Sequence, residues 1–118
     1  MCIFCKIAEG EIPSNKILEN EDFIAFHDIN PAAPIHVLVI PKEHIDSFQE
    51  TPPQMMAKMT PFIQEVAKKL GLDESGYRLI TNIGSDGGQE IKHLHFHILG
   101  GAKLIWKHFD QVDPHKSI

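Results

Sequence analysis

The sequence predicts an α+β domain: a mainly antiparallel sheet of about five strands, covered by one long helix and preceded by a short N-terminal helix. Two observations favour this class. Short β-type segments lie on both sides of a single long helical segment, in the order strand, strand, strand, helix, strand, strand. The 118 residues, of which 42% are hydrophobic, suffice for the core of one domain over 1–118.

The N-terminal half supplies the short helix and three strands. "CIFCKIAEG" predicts one or two helical turns that end at Gly10. "KILEN" and "FIAFHDI" predict a pair of strands around the turn-like residues 20–22, and a proline-rich loop follows them. "HVLVIP" is a short apolar run rich in Val and Ile, which predicts a central strand that Pro41 stops.

The C-terminal half supplies the long helix and two strands. Thr51 is the expected N-cap, a proline lies in the first turn, and Gly71 marks the end of the helix. "YRLITN" predicts a fourth strand, "IGSDGGQEIK" a glycine-rich loop, and "HLHFHIL" at 93–99 the last strand. The apolar face of the helix consists of Met55, Met59, Phe62, Ile63, Val66 and Leu70.

The composition restricts the class of partner and the compartment. A net charge of −5 does not favour a protein that binds nucleic acid, because such binding needs a basic face. A small phosphate ligand remains compatible, since one site can be locally positive. We expect no membrane segment, because no run approaches the roughly 20 apolar residues of a span. Positions 1–12 show no secretory signal, so a cytoplasmic protein is expected.

"HLHFHILGG" at 93–101 places three histidines at alternate positions. On a strand, His93, His95 and His97 share one face and line an open surface, while the apolar residues between them face the core. Successive imidazoles on that face lie roughly 7 Å apart, so two of them can address one phosphate or one metal ion. This leaves two alternatives: a three-histidine metal site of the zinc-hydrolase kind, or a nucleophilic and phosphate-binding cluster.

The loop before the histidines favours a phosphate. "GSDGGQ" contains glycines, which let the backbone approach a ligand closely. Concave arrays of main-chain N–H groups bind anions, and here they would lie next to imidazoles that can donate hydrogen bonds.

Cys2 and Cys5 have the C-x₂-C spacing by which two thiolates hold one metal ion. Two thiolates do not complete a tetrahedral site, so two further ligands would have to come from elsewhere. The alternative is a metal-free pair of thiols, or a reversible disulfide.

"HLHFHILGG" resembles the signature of the histidine-triad (HIT) family, in which histidines alternate with hydrophobic residues. The resemblance extends over 2–45, over "GYRLITNIGSDGGQE" and to Trp106, so it covers nearly the whole chain. The most similar branch is that of the Hint-type histidine triad nucleotide-binding proteins, which are purine nucleoside phosphoramidases. The resemblance implies a HIT-like α+β domain whose sheet joins that of a second copy in a homodimer, with Trp106 at the dimer contact.

The resemblance also implies a reaction, the hydrolysis of the P–N bond of purine nucleoside 5′-phosphoramidates such as adenosine 5′-monophosphoramidate. His95 would attack the α-phosphorus, and water would then hydrolyse the nucleotidyl-histidine. A neutral imidazole suits this role near pH 7, because its unperturbed pKa is about 6.5. His97 would hold the phosphate oxygens as charge develops. His36 would stand beside the triad as a further catalytic residue, and no cofactor would be required for catalysis.

By the same resemblance, the ligand would be a purine nucleotide of the AMP or GMP type. Asp28 would accept both ribose hydroxyls, since a carboxylate offers two oxygens, and Asn82, Gly88 and Gln89 would contact the phosphate. Glu90 stands where some members carry a hydroxyl residue that protonates the leaving amine. A carboxylic acid could perform this transfer if its pKa is raised, whereas a carboxylate would repel the anionic substrate. The base would be enclosed by Phe26, His27 and Ile29, with Phe4, Ile7 and Ile12.

For the metal, the resemblance implies that His44 and His93 complete a structural zinc site with Cys2 and Cys5. His93 would then be structural, which leaves His95 and His97 for chemistry. Two alternatives stay open: a nucleotide-binding regulatory module with little turnover, and a zinc-dependent hydrolase that uses all three triad histidines as ligands. In the C-terminal tail, His108 and His115 are expected to be solvated.

Overall fold

The structure, a computed structural model, describes residues 2–106, so the expectations for His108 and His115 lie outside it. It confirms the predicted α+β class, with a five-stranded antiparallel sheet, one main helix and a short N-terminal helix. The elements in chain order are α1 (Ile3–Ala8), β1 (Lys16–Glu19), β2 (Phe23–His27), β3 (Ile35–Pro41), α2 (Pro53–Lys69), α3 (Leu72–Ser75), β4 (Arg78–Ile80) and β5 (Phe96–Gly100). The strands lie in the order β1-β2-β3-β5-β4.

The central strand β3 is hydrogen-bonded to β2 on one side and to β5 on the other. Its run of Val, Leu and Ile is apolar at successive positions because both faces of the sheet are covered, one by α2 and the other by α1. It ends at Pro41, as predicted.

The helix α2 begins one residue later than predicted. Its N-cap position is Pro52, and Thr51 instead donates its hydroxyl hydrogen to the carbonyl oxygen of Ser47 over 2.9 Å. Thr51 was the wrong choice because a 3₁₀ turn at Phe48–Glu50 precedes the helix and uses that hydroxyl. The other end agrees with the prediction, since Gly71 follows the helix with a φ of +75°.

Two apolar clusters lie on opposite faces of the sheet. The larger cluster joins the predicted face of α2 to inward side chains of β2, β3 and β5, and the smaller cluster lies under α1. Burying each large apolar side chain contributes about 1.5–3 kcal/mol. The larger cluster includes Phe23, Val37, Val39, Met59, Phe62, Ile63, Val66, Leu94, Phe96 and Ile98. The smaller cluster consists of Phe4, Ile7, Ile24, Phe26, Leu38 and Ile40.

The last strand differs from the prediction in its start. The ladder begins at Phe96 rather than at His93, and the main-chain N–H of Leu94 donates instead to the carbonyl oxygen of Ile45 over 2.6 Å. The alternation of side chains nevertheless continues through 93–99. Leu94, Phe96 and Ile98 all lie in the larger cluster, as the pattern predicted. Within 2–106, no helix combines the length and the apolar composition that crossing a membrane requires.

Candidate active site and metal centre

The register between β3 and β5 brings His36 and His97 together. His97 lies opposite Leu38, and His36 lies two residues before Leu38 on the same face. As diagonal neighbours, the two imidazoles approach until Nε2 of His36 is 2.9 Å from Nδ1 of His97. Asp28 is close by, with Oδ2 at 3.4 Å from Nε2 of His36.

A chain of hydrogen bonds fixes the tautomers of this pair. The main-chain N–H of Ala32 donates to Nδ1 of His36 over 2.9 Å, so Nδ1 carries no proton. The neutral ring of His36 therefore carries its proton on Nε2 and donates it to Nδ1 of His97. In a neutral His97 the remaining proton is then on Nε2, which makes that nitrogen a hydrogen-bond donor.

Burial keeps both imidazoles neutral. It lowers the pKa of His97 to about 4, and the neighbouring rings of His95 and His36 act in the same direction. Burial also lowers the pKa of His36, although the carboxylate of Asp28 opposes that effect. At neutral pH the pair therefore offers one N–H donor rather than a positive charge.

His95 is buried, with 8% of its surface exposed, and its ring packs edge-on against Phe4 and His97. Its Nδ1 lies 2.8 Å from the carbonyl oxygen of His93. A carbonyl only accepts, so in the neutral ring the proton is on Nδ1 and the lone pair is on Nε2. Among the residues that the structure describes, Nε2 of His95 has no hydrogen-bond partner, and no buried side-chain nitrogen there lacks one. This atom therefore reaches the surface.

The expectation of an open histidine face was wrong for His93 and His95. His93 is 0% exposed, and Phe4 from α1 packs against both rings. Helix α1 covers this part of the sheet, and residues 93–99 by themselves carry no signal of that cover. His97 is half-buried.

The loop between β4 and β5 is held by its own hydrogen bonds. Asn82 donates its side-chain amide hydrogen to the carbonyl oxygen of Gly87 over 2.8 Å. The main-chain N–H groups of Gly88 and Gln89 donate to Ser85 and Gly84, each over 3.0 Å. A phosphate contact therefore stays a prediction for Asn82, Gly88 and Gln89. Such a contact would require the loop's hydrogen bonds to be shared with the phosphate or broken.

The residues expected around the nucleoside differ in exposure. Phe26 is buried under α1 and contacts Phe4 edge-on, whereas Ile29 is 92% exposed. His27 and Asp28 are half-buried, and Asp28 accepts the main-chain N–H of Asn30 through Oδ1. Their part in binding a nucleoside stays a prediction, as does that of Glu90, which is exposed.

Four side chains converge beside α1 as a possible metal centre: Cys2, Cys5, His44 and His93. The distances between the sulfurs, and between the sulfurs and the two Nδ1 atoms, run from 3.1 to 3.6 Å. In a tetrahedral zinc site with these donors, neighbouring ligand atoms are about 3.4–3.8 Å apart. The chemistry and the spacing of the four groups therefore fit such an ion.

Hydrogen bonds orient both histidines of this centre. Nε2 of His93 donates to the carbonyl oxygen of Pro41 over 2.9 Å, and Nε2 of His44 donates to Oδ1 of Asp46 over 3.0 Å. In its neutral form, each ring thus presents an unprotonated Nδ1 to the sulfurs, which is how a histidine ligates a metal. Burial lowers the pKa of His93, which also favours its neutral form.

The three triad histidines do not meet at one point. Within 2–106, His93 belongs to the cysteine cluster, and His97 belongs to a second group with Asp28 and His36. His95 is in neither group. This arrangement does not favour a metal site that uses all three triad histidines as ligands.

The HIT domain family model matches residues 9–104, which is most of the chain. The chain belongs to the HIT family. A HIT-like protein of Helicobacter pylori (strain ATCC 700392 / 26695) is 58% identical over 103 residues, which cover 87% of this chain and 99% of the relative. The resemblance seen in the sequence is thereby confirmed at the level of the family.

Solved HIT structures share the fold over most of their length. A HIT family hydrolase from Legionella pneumophila Philadelphia 1 superposes with a TM-score of 0.86 at 43% identity, covering 90% of this chain and 97% of that one. A histidine triad nucleotide-binding protein from Candida albicans superposes with a TM-score of 0.78 at 36% identity, covering 93% and 88%.

Several groups of this HIT site were missed in the sequence. Asp46 orients His44, the carbonyl of Pro41 orients His93, and the N–H of Ala32 orients His36. Two of the three are main-chain groups, which every residue carries, so no side-chain pattern marks them. Asp46 had one weak signal, its position two residues after His44.

Proposed function

We propose that this HIT protein hydrolyses the P–N bond of purine nucleoside 5′-phosphoramidates through a nucleotidyl intermediate on His95. The observation that carries the proposal is the hydrogen bond from Nδ1 of His95 to the carbonyl of His93, because it leaves the lone pair on an accessible Nε2. The likeness to a HIT hydrolase and to a histidine triad nucleotide-binding protein supports the reaction class and the ligand class.

In the first step, Nε2 of His95 forms a bond to the α-phosphorus while the bond from phosphorus to the amine nitrogen breaks. The amine takes up a proton as it leaves, and Glu90 is the candidate donor where other members carry a hydroxyl residue. In the second step, water attacks the phosphorus while the Glu90 carboxylate left by the first step takes up one of its protons. The bond to Nε2 then breaks, and the nucleoside monophosphate departs.

His97, positioned by His36, stabilises the negative charge that develops on the phosphate oxygens. Nε2–H of His97 is the donor, and the bond from His36 to Nδ1 of His97 holds the ring in the tautomer that can donate. Asp28 is the candidate acceptor for the ribose hydroxyls, with Phe26, His27 and Ile29 near the base.

The Cys2, Cys5, His44 and His93 centre is proposed to hold zinc in a structural role. Zinc bound there would stabilise the fold by fixing the N-terminal segment to the sheet. His93 would then act as a ligand through its side chain and as an orienting group for His95 through its carbonyl oxygen.

We further propose a homodimer in which the edge strand β4 joins its copy. Leu79 on β4 is 45% exposed and Trp106 is 73% exposed, so apolar surface accompanies a sheet edge. Sedimentation of the wild type and of Leu79→Lys tests this, since a monomeric wild type would contradict the homodimer.

The reaction is tested with adenosine 5′-monophosphoramidate followed by ³¹P NMR. Wild-type protein should release AMP, and His95→Asn should lose this activity while it still binds AMP. A wild type that binds AMP without turnover would instead indicate a regulatory nucleotide-binding module. Loss of both metal and activity in His95→Asn would indicate a metal-dependent hydrolase.

A further inference from the structure

The side chain of Gln89 uses all of its hydrogen-bonding groups within the protein. Its amide nitrogen donates to the carbonyl oxygen of Asp46 over 2.6 Å and to that of Ile91 over 3.0 Å. Its amide oxygen accepts the main-chain N–H of Gly84 over 3.0 Å. The side chain therefore joins the start of the glycine-rich loop to two other segments.

One of those segments carries a candidate metal ligand. Oδ1 of Asp46 accepts the Nε2–H of His44, whose Nδ1 lies 3.2 Å from the sulfur of Cys5. Ile45 lies between His44 and Asp46 in the chain, and its carbonyl oxygen accepts the main-chain N–H of Leu94 over 2.6 Å. Residues 44–46 therefore contact the metal centre, the loop and the triad segment at once.

An ion at the centre would restrict this segment, and the restriction would reach the loop. The side chains of His44 and Asp46 are 43% and 44% exposed, so the hydrogen bond between them lies partly in solvent. Ligation would fix His44, and through it the position of the Asp46 carbonyl that holds Gln89. A loop already ordered in this way loses less conformational freedom when it binds a phosphate.

We propose that Gln89 is a positioning residue that couples the Cys2, Cys5, His44 and His93 centre to the glycine-rich loop, so that metal and nucleotide each raise the other's affinity. Gln89 would act through the loop, and a side-chain contact to the phosphate would break one of its three bonds. The inference rests on the proposed function, because it needs both zinc at the centre and a nucleotide phosphate at the loop.

The experiment measures zinc affinity by competition with a chromophoric chelator, with and without saturating AMP. In the wild type, AMP should raise the zinc affinity about tenfold, within the usual range of coupling between two sites. By linkage, zinc should raise the AMP affinity by the same factor. This reciprocal measurement uses the wild type alone and needs no variant to fold.

Gln89→Met keeps the length of the side chain and removes the amide. It should reduce the coupling to less than about twofold and leave the zinc affinity without AMP within about threefold of the wild type. Gln64→Met is the matched control, since Gln64 is exposed on α2, and it should keep the full coupling. A merely structural role would lower the melting temperature and both affinities without abolishing the coupling.

The outcomes separate this inference from the proposed function. A wild type that binds AMP and zinc independently overturns the coupling and leaves the function standing. A wild type that binds zinc but no AMP overturns both. A wild type that binds AMP but no zinc overturns the coupling and the proposed zinc centre, and leaves the proposed reaction standing. A Gln89→Met variant that retains the coupling overturns the coupling alone.

Discussion

His95 and His93 are joined by a hydrogen bond from Nδ1 of the first to the main-chain carbonyl oxygen of the second, over 2.8 Å. The side chain of His93 points the other way, between the two cysteine sulfurs and the carbonyl of Pro41. One residue thus contributes to both candidate sites.

Removing the donor of His36 should slow catalysis. His36→Leu cannot donate to Nδ1 of His97, so His97 is free to adopt the tautomer that lacks Nε2–H, and kcat should fall about 100-fold. His36→Gln carries an amide donor and should retain more activity than His36→Leu. The measurement is steady-state hydrolysis of adenosine 5′-monophosphoramidate, and equal activity of both variants would contradict the role of the donor.

The low pKa of His97 predicts a loss of stability in acid. The folded state holds this pKa at about 4, below the unfolded value of about 6.5, so the unfolded state binds the proton more readily. The stabilisation is complete above about pH 6.5 and is lost as the pH falls toward 4. Partial solvent access limits the loss to about 2 kcal/mol.

Urea unfolding of the wild type and of His97→Gln over this pH range measures that contribution. Gln does not titrate, so the variant should lose less free energy of unfolding between about pH 6.5 and 5 than the wild type. Parallel pH profiles for the two proteins would show that His97 is not protonated more readily on unfolding.

Loss of a candidate zinc ligand should lower both metal content and thermal stability. His44→Gln removes one of four ligands, so purified protein should contain less than one equivalent of zinc and should melt several degrees below the wild type. Glu43→Gln changes the exposed neighbouring residue and should match the wild type. Elemental analysis and calorimetry measure both quantities, and a zinc-free wild type would refute the metal centre.

Gly87 should be required for the shape of the glycine-rich loop. A Cβ at this position would collide with the carbonyl oxygen of Ile83, so Gly87→Ala must displace the backbone, and AMP affinity should fall about tenfold or more. Gly76→Ala is the control, because Gly76 has a φ of +95° with open space around it. That variant should lose about 1 kcal/mol of stability and keep its AMP affinity, as calorimetric titration would show.

The fold could be predicted almost completely, because it depends on local periodicity. The alternation in 93–99 indicated which side chains enter the core, and Leu94, Phe96 and Ile98 do so. The start of the strand could not be predicted. Leu94 bonds to Ile45, which lies 49 positions earlier in the chain, and this contact replaces a strand partner.

The candidate site was predictable in its residue types and not in its proton arrangement. The C-x₂-C spacing identified Cys2 and Cys5, and the resemblance supplied His44 and His93 as partners, which the structure brings within reach of one ion. The burial of His95 depends on Phe4, a residue of a different element. The tautomers depend on main-chain groups of Ala32 and His93, which leave no trace in a pattern of side chains.

The most direct test of the nucleophilic role of His95 is mass spectrometry of protein mixed briefly with adenosine 5′-monophosphoramidate and quenched in alkaline denaturant, which preserves bonds between phosphorus and histidine. We expect an adenylyl group on the peptide that contains His95, located at that residue by fragmentation and missing from His95→Asn. Turnover with no adduct at His95, or hydrolysis that persists in His95→Asn, would contradict it.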